Sequence, residues 1–195
     1  MLTIVWDVDD VLNDLMFQWF SLGWKTEHPD CQLSYDDLTA NPPHDVLQVE
    51  LDEYLASMDA FRNTMHAINM RPKPQLLDWF RERGHGFRHI ALTARPLATA
   101  PDVAHWVMRH FGAWIRCFGV VPTRIEAGVP VYDQTKGEFL SWLQLGDVLV
   151  DDSSENVRQA AALGMTPFLV EQPWSKTGLT TSELLLRLSE LAGVN

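Results

Sequence analysis

The chain is poor in cysteine, poor in positive charge, and has no apolar run long enough to cross a membrane. Cys31 and Cys117 are its two cysteines. They lie far apart and form no C-x-x-C pair, which excludes a disulfide framework and a thiolate metal site. No basic stretch followed by an apolar segment opens the sequence. Secretion and membrane association are therefore not expected, and a reducing cytoplasm is the expected location. Lys and Arg number 15 against 26 Asp and Glu, a formal net charge of -11. Phosphate backbones select basic surfaces, so this balance weighs against a nucleic acid polymer as partner. It does not exclude a small anionic substrate, because a bound metal and a few local donors set the field inside a cleft. Neither G-x-x-x-x-G-K-[ST] nor G-x-G-x-x-G nor H-E-x-x-H occurs, so P-loop, dinucleotide and zinc-protease chemistry find no fingerprint.

What is present is a globular composition, 46% hydrophobic and 21% charged, at a length that suits one domain with a small insert. The first informative stretch is Thr3–Trp6, a short β-branched and aromatic run that reads as a strand buried on both faces. It ends in three carboxylates within four positions, Asp7, Asp9 and Asp10. A strand that delivers carboxylates at its carboxyl end places them where open α/β sheets bind ligands. Like charges so close repel, and burying them unpaired is costly, so a cation is the expected occupant. An all-oxygen ligand set points to Mg²⁺.

Residues 13–25 carry apolar side chains at helical spacing on more than one side, and 45–58 read as a second helical stretch. The segment between them is loop, punctuated by Pro29, Pro42 and Pro43. Arg71-Pro72-Lys73-Pro74 marks a hinge or boundary. Beyond it helix and strand alternate. Helices are expected over 75–83, 101–111, 135–143, 154–163 and 180–191, with strands over 89–93, 117–121, 147–150 and 166–170. Gly84 suits the C′ position of the first of these helices. Trp79, Trp106, Trp114 and Trp142 are expected in the core. The alternation implies an α/β fold, a doubly wound Rossmann-like parallel sheet. Residues 1–12 and 72–195 would form the core, and 13–71 a small helical cap inserted after strand 1.

Three further strand or helix ends carry polar residues of a suitable kind: Thr93-Ala94-Arg95, Thr135-Lys136 and Asp151-Asp152. Strand 1 would be central, so Asp7, Asp9, Thr93, Lys136, Asp151 and Asp152 can converge. A carboxylate can attack a phosphoryl group and split one hard step into two. A second carboxylate can protonate the leaving oxygen and then activate water. A hydroxyl, an ammonium and Mg²⁺ can hold and neutralise the equatorial oxygens. Arg95 can reach a substrate phosphate or cap its own loop.

These four segments, in order, resemble the motifs of the haloacid dehalogenase (HAD) superfamily of phosphohydrolases. Asp7-Val8-Asp9-Asp10-Val11-Leu12 stands as the first motif, Thr93 the second, Lys136 the third and Asp151-Asp152 the fourth. The resemblance implies a HAD-like core with Asp7 as nucleophile and metal ligand. Asp9 would be general acid/base, with its backbone carbonyl on Mg²⁺. Thr93 and Lys136 would hold the phosphate, with Asp10, Ala94 and Arg95 beside it. Asp152, with Asp151 close behind, would complete the metal site. Within the superfamily the layout is most similar to the 5′(3′)-deoxyribonucleotidases, which commonly have Gly where Asp10 stands and a base-contacting aromatic where Leu15 stands. Phe17, Trp19 and Phe20 are candidates to replace that aromatic.

The resemblance implies a Mg²⁺-dependent phosphomonoesterase acting on a small phosphorylated metabolite, with a nucleoside monophosphate as leading candidate. A phosphomutase, another phosphotransferase or a pyrophosphatase would use the same intermediate. A non-catalytic phosphate-ligand-binding protein on this fold is the third reading. A monomer or a homodimer is expected.

Overall fold

The computed structural model describes residues 1–124 and 128–192. The expected core range therefore includes two short stretches, 125–127 and 193–195, that lie outside the described residues. Strand β1 (Thr3–Trp6) is followed by helix α1 (Leu15–Gln18), which continues through a π-helical segment (Trp19–Trp24) into α2 (Lys25–Glu27). Next come α3 (His44–Leu47), α4 (Leu51–Arg62), α5 (Met65–Ile68) and α6 (Pro74–Arg83). The chain then alternates: β2 (Arg88–Ala94), α7 (Ala100–Phe111), β3 (Ile115–Val121), α8 (Lys136–Leu143), β4 (Val148–Asp151), α9 (Ser154–Ala162), β5 (Thr166–Leu169) and α10 (Thr181–Ala192).

The five strands form one sheet in the order β3-β2-β1-β4-β5, every pairing parallel. β1 is central, with Trp6 registered against Ala91 of β2 and Val150 of β4. Successive side chains of a strand face opposite sides. Ile4 and Trp6 accordingly join the layer built by Leu76, Phe80, Val107 and Leu188 of α6, α7 and α10. Val5 joins the layer with Leu140 of α8 and Ala160 of α9. Ile4, Val5 and Trp6 are all fully buried, which is why this strand reads as continuously apolar rather than alternating. Helices on both faces make the sheet doubly wound, as expected.

A third apolar cluster lies outside the sheet. Leu15, Met16, Trp19, Phe20, Trp24, Leu38, Tyr54, Met58, Phe61 and Met70 pack together. All belong to the segment between β1 and α6, so this segment has a core of its own. The two chain passages that join it to the sheet lie side by side, since the Lys73 N–H donates to the Leu12 carbonyl at 3.0 Å.

Several local expectations are corrected. The first helix is not uniformly α-helical, because residues 19–24 wind as a π-helix. The second stretch is two helices interrupted at Gln48, which has φ +58°, and α4 runs on to Arg62. Gly84 is not a left-handed cap. Its φ is -56°, and the chain tightens there into a 3₁₀ turn. Space accounts for this glycine, since a Cβ would stand 3.1 Å from Trp114 Cδ1 and 3.2 Å from Phe80 Cδ1. Trp142 is exposed rather than buried.

Candidate active site

Asp7 follows β1 directly, and its N–H continues the sheet pattern by donating to the Val150 carbonyl at 2.9 Å. Its carboxylate therefore sits at the carboxyl end of the central strand. Asp7 Oδ1 accepts from the Val8 N–H at 2.7 Å and lies 2.7 Å from Lys136 Nζ. The same ammonium reaches Asp151 Oδ2 at 2.7 Å. Lys136 opens α8 and is only 3% exposed. Two contacts fix that helix end: Thr135 Oγ1 accepts from the Glu138 N–H, and the Gly137 N–H donates to Gln159 Oε1 of α9 at 3.0 Å. A Cβ on Gly137 would stand 2.5 Å from that oxygen, so glycine is needed for the close approach.

Asp151 is satisfied entirely by protein. Oδ2 takes Lys136, while Oδ1 accepts from the Ser153 N–H and Asn156 Nδ2 at 2.9 and 3.0 Å. Asp152, beside it, accepts from Trp174 Nε1 through Oδ2 at 2.7 Å. Asp7, Asp151 and Asp152 each offer a carboxylate oxygen, and these oxygens lie within 4.8 Å of one another. Burial pushes the Asp7 carboxyl well up. Lys136 opposes this, and Asp151, Asp152 and Asp9 add to it. Asp152 is pushed up to about 7 by burial and then by Asp151. Burial pulls Lys136 down, but Asp151 and Asp7 more than reverse it and keep the ammonium charged. Three buried carboxylates against one ammonium leave a surplus of negative charge that repels itself. A hard divalent cation with oxygen ligands fits this donor set.

Asp9 and Arg95 are brought together rather than both facing the acidic cluster. Arg95 Nε donates to Asp9 Oδ2 at 2.6 Å and Nη2 to Oδ1 at 2.5 Å. Asn13 Nδ2 adds a third contact at 3.2 Å. Burial would raise the Asp9 carboxyl, but the Arg95 guanidinium outweighs it and holds the group low. Arg95 is thus paired with Asp9 rather than capping its own loop.

Asp10 sits at φ +61°, a backbone region glycine occupies at no steric cost. Its carboxylate accepts from the Met16 N–H at 2.8 Å, and burial followed by the charge of Asp9 pushes its pKa up to about 8. Its carbonyl accepts from Lys73 Nζ at 2.8 Å and Gln172 Nε2 at 2.6 Å. Thr93, at the end of β2, is 1% exposed, and its Oγ1 has no hydrogen-bond partner. A buried hydroxyl left unpaired costs about 1–3 kcal/mol, so it calls for an acceptor. Ala94 lines the cleft beside it.

The cleft above these strand ends is about 630 Å³. Asp7, Asp9, Asp10, Lys136 and Asp152 form its floor, and residues of the helical segment form its far wall. Tyr54 and Trp174 are the aromatics that line it. Trp19 and Phe20 are instead buried in the helical segment's own core, and Phe17 is exposed against Tyr35. Sequence reasoning missed Asn13, Asn156, Lys73, Gln172 and Trp174. Asn13, directly after the first acidic motif, was within reach of such reasoning. Lys73 lies in the Arg71–Pro74 boundary stretch, which signals a hinge but not a site residue, and Gln172 and Trp174 come from a segment with no recognisable pattern.

No family model matches the chain, and no curated protein matches it. Solved structures do. A haloacid dehalogenase-like family hydrolase from Streptococcus pneumoniae superposes with a TM-score of 0.65 at 16% identity, over 100% of this chain and 99% of that one. A protein from Lactobacillus delbrueckii subsp. bulgaricus, assigned as a phosphoglycolate phosphatase, gives 0.59 at 14% identity over 98% and 99%. A protein from Bacillus subtilis, assigned as a HAD-hydrolase and bound to magnesium, gives 0.53 at 13% over 98% of each chain. The chain therefore has the fold of the haloacid dehalogenase-like hydrolases.

Proposed function

We propose that this protein is a Mg²⁺-dependent phosphohydrolase that transfers the phosphoryl group of a small monoester to Asp7 and then to water. One observation carries the reading. A buried lysine bridges the carboxylate at the end of the central strand and the first of a neighbouring Asp pair, and the adjacent strand β2 carries at its end a buried threonine hydroxyl that has no partner. Phosphoryl transfer asks for these three parts: a nucleophile, a fixed positive charge and a spare donor for the transferring group.

Asp7, the Asp9 backbone carbonyl and Asp152 would hold Mg²⁺, and Asp151 is the less direct member because Lys136, Ser153 and Asn156 already occupy its oxygens. Mg²⁺ held there would supply positive charge to the phosphate oxygens and would offset the burial and the neighbouring carboxylates that raise the Asp7 carboxyl. Asp7 Oδ attacks phosphorus, the ester P–O bond breaks, and the leaving oxygen takes a proton from Asp9. Water then gives its proton to Asp9 and attacks phosphorus, releasing phosphate and restoring Asp7. Asp9 serves this role once its carboxyl leaves Arg95, and Arg95 is then free to meet the substrate. Thr93 Oγ1 and Lys136 Nζ hold the equatorial oxygens, with the Ala94 backbone beside them. Residues 13–71 act as a cap over 1–12 and 72–195, and set which leaving group enters. A nucleoside monophosphate fits this class, with Tyr54 or Trp174 as the available stacking surface.

The test is phosphate release from a panel of monoesters, run with Mg²⁺, with EDTA, and with Asp7→Asn. Release that needs both Mg²⁺ and Asp7 supports the reading. Release that survives EDTA or Asp7→Asn contradicts it.

A further inference from the structure

The far wall of the cleft carries one positive charge that the reaction just described does not use. Arg62 ends α4 and lines the cleft. Its side chain is only 13% exposed. Nη1 pairs with Asp59 Oδ1 at 3.0 Å, but Nε is buried and has no hydrogen-bond partner. Asp59 is not Arg62's alone, because Arg124 Nη1 reaches its other oxygen at 2.7 Å. Arg62 therefore shares a single carboxylate with Arg124 and has no full partner of its own. Arg95, which lines a small adjoining pocket with Arg62, is matched by Asp9. Arg62 is also near enough to Asp9 for its charge to help hold that carboxyl low, so it stands on the leaving-group side of the site.

A guanidinium with a buried free donor is an unfinished fork, and planar oxyanions complete such forks with two parallel hydrogen bonds. Leu15, Met16, Leu55 and Met58 line the cleft nearby, and they lower the local dielectric in which that pair would form. We infer that Arg62 is a specificity-determining residue that binds a second anionic group, a carboxylate or a second phosphate, on the leaving group of the substrate. The inference rests on the phosphohydrolase reading. It narrows the substrate class from any small monoester to a monoester with a charged tail.

Two matched pairs of probes test it. Phosphoglycerate and glycerol phosphate share a skeleton and differ in a carboxylate. Glucose bisphosphate and glucose phosphate differ in a second phosphate. Thymidine monophosphate serves as the uncharged aromatic case. The wild-type protein should favour the charged member of at least one pair by about ten-fold or more in kcat/KM, the size of a charge-assisted hydrogen bond. Which pair shows the preference identifies the anion. Arg62→Met, which keeps the apolar stem, should lose that preference, with the charged ester falling further than its neutral twin. Arg62→Lys should restore part of it. Equal kcat/KM for the members of both pairs in the wild-type protein, or a preference that persists in Arg62→Met, overturns the inference. The wild-type comparison decides even where the variant does not fold. Absence of release from every ester is the failure of the phosphohydrolase reading, not of this one. Calorimetric binding of the same pairs to the Mg²⁺-loaded protein then decides it, with equal affinities overturning the inference.

Discussion

At the residue scale, the site is defined by groups whose burial makes sense only with a partner. Lys136 has two carboxylates and Asp151 has three donors, so each is complete within the protein. Thr93 is not. Its hydroxyl is buried and unpaired, a stability cost that an isosteric methyl removes. Thr93→Val should therefore leave the thermal midpoint unchanged or higher, while kcat/KM falls by about ten-fold or more through the lost phosphate contact. A lower midpoint with normal turnover would make Thr93 an ordinary strand-end residue. Lys136→Ala should reduce kcat by about two to three orders of magnitude, the usual effect of removing a preorganised charge from a transition state. Normal turnover in that variant would remove Lys136 from the reaction. Both positions were legible in the sequence, Thr93 because it ends an apolar strand and Lys136 because it opens a helix. The Asp9–Arg95 pair was not legible. Nothing in a linear pattern says that two side chains from neighbouring strand ends will pair with each other.

At the element scale, two hydrogen-bond chains set the geometry. In the first, Trp6 Nε1 donates to His89 Nδ1 at 3.0 Å, and His89 Nε2 meets the Gly84 carbonyl at 2.8 Å. This pattern ties β1, β2 and the turn after α6, and it requires a neutral imidazole protonated on Nε2. Burial lowers the His89 pKa, opposed only by the Gly84 carbonyl. The sign follows from that direction. Above the ordinary 6.5 both folded and unfolded states are neutral, and the contribution of His89 is fully present. Below it the unfolded chain takes up a proton that the folded one refuses, so this contribution is lost as pH falls through the lowered folded value. An NMR titration of the His89 ring should find it neutral at pH values where an ordinary imidazole is already charged. A midpoint at or above 6.5 would contradict the assignment.

The second chain links the helical segment to the acidic cluster. Tyr35 Oη donates to Gln172 at 2.9 Å, Gln172 reaches the Asp10 carbonyl, and Trp174 packs edge-on to Tyr35 while its indole N–H holds Asp152. Partners that orient a ligating carboxylate affect metal affinity by about 10–100-fold. Trp174→Phe keeps the ring contact and removes the donor, so Mg²⁺ affinity measured by calorimetry should fall by about ten-fold. An unchanged affinity would show that Asp152 needs no such orientation. These partners lie in the segment after β5, where Glu171-Gln172-Pro173-Trp174 carries no periodicity. Sequence reasoning places strands and helices by pattern and has no purchase on a loop whose role is one indole hydrogen.

At the scale of the whole molecule, the parallel sheet with β1 at its centre and helices on both faces followed from the alternation of apolar runs and amphipathic helices, whereas the full strand order did not. Boundaries moved by a residue or two because caps, not apolar patterns, decide where a helix starts. The helical segment was harder to read, because its packing is local and its helices are short and broken by Gln48 and by the π-segment. Its separate apolar core and its two adjacent connections at Leu12 and Lys73 suit movement as a unit over the cleft. Small-angle scattering should show a more compact particle with Mg²⁺ and a phosphate analogue than without. Identical profiles would argue against a large closure. Among the described residues, no helix is long and apolar enough to span a membrane.

The central claim is phosphoryl transfer to the carboxylate of Asp7. The most direct measurement is peptide mass mapping after an acid quench during turnover of an accepted ester in Mg²⁺. The account predicts a phosphoryl group on the peptide that contains Asp7, absent in Asp7→Asn and absent without Mg²⁺. Turnover accompanied by a phosphoryl group on any other residue would contradict it.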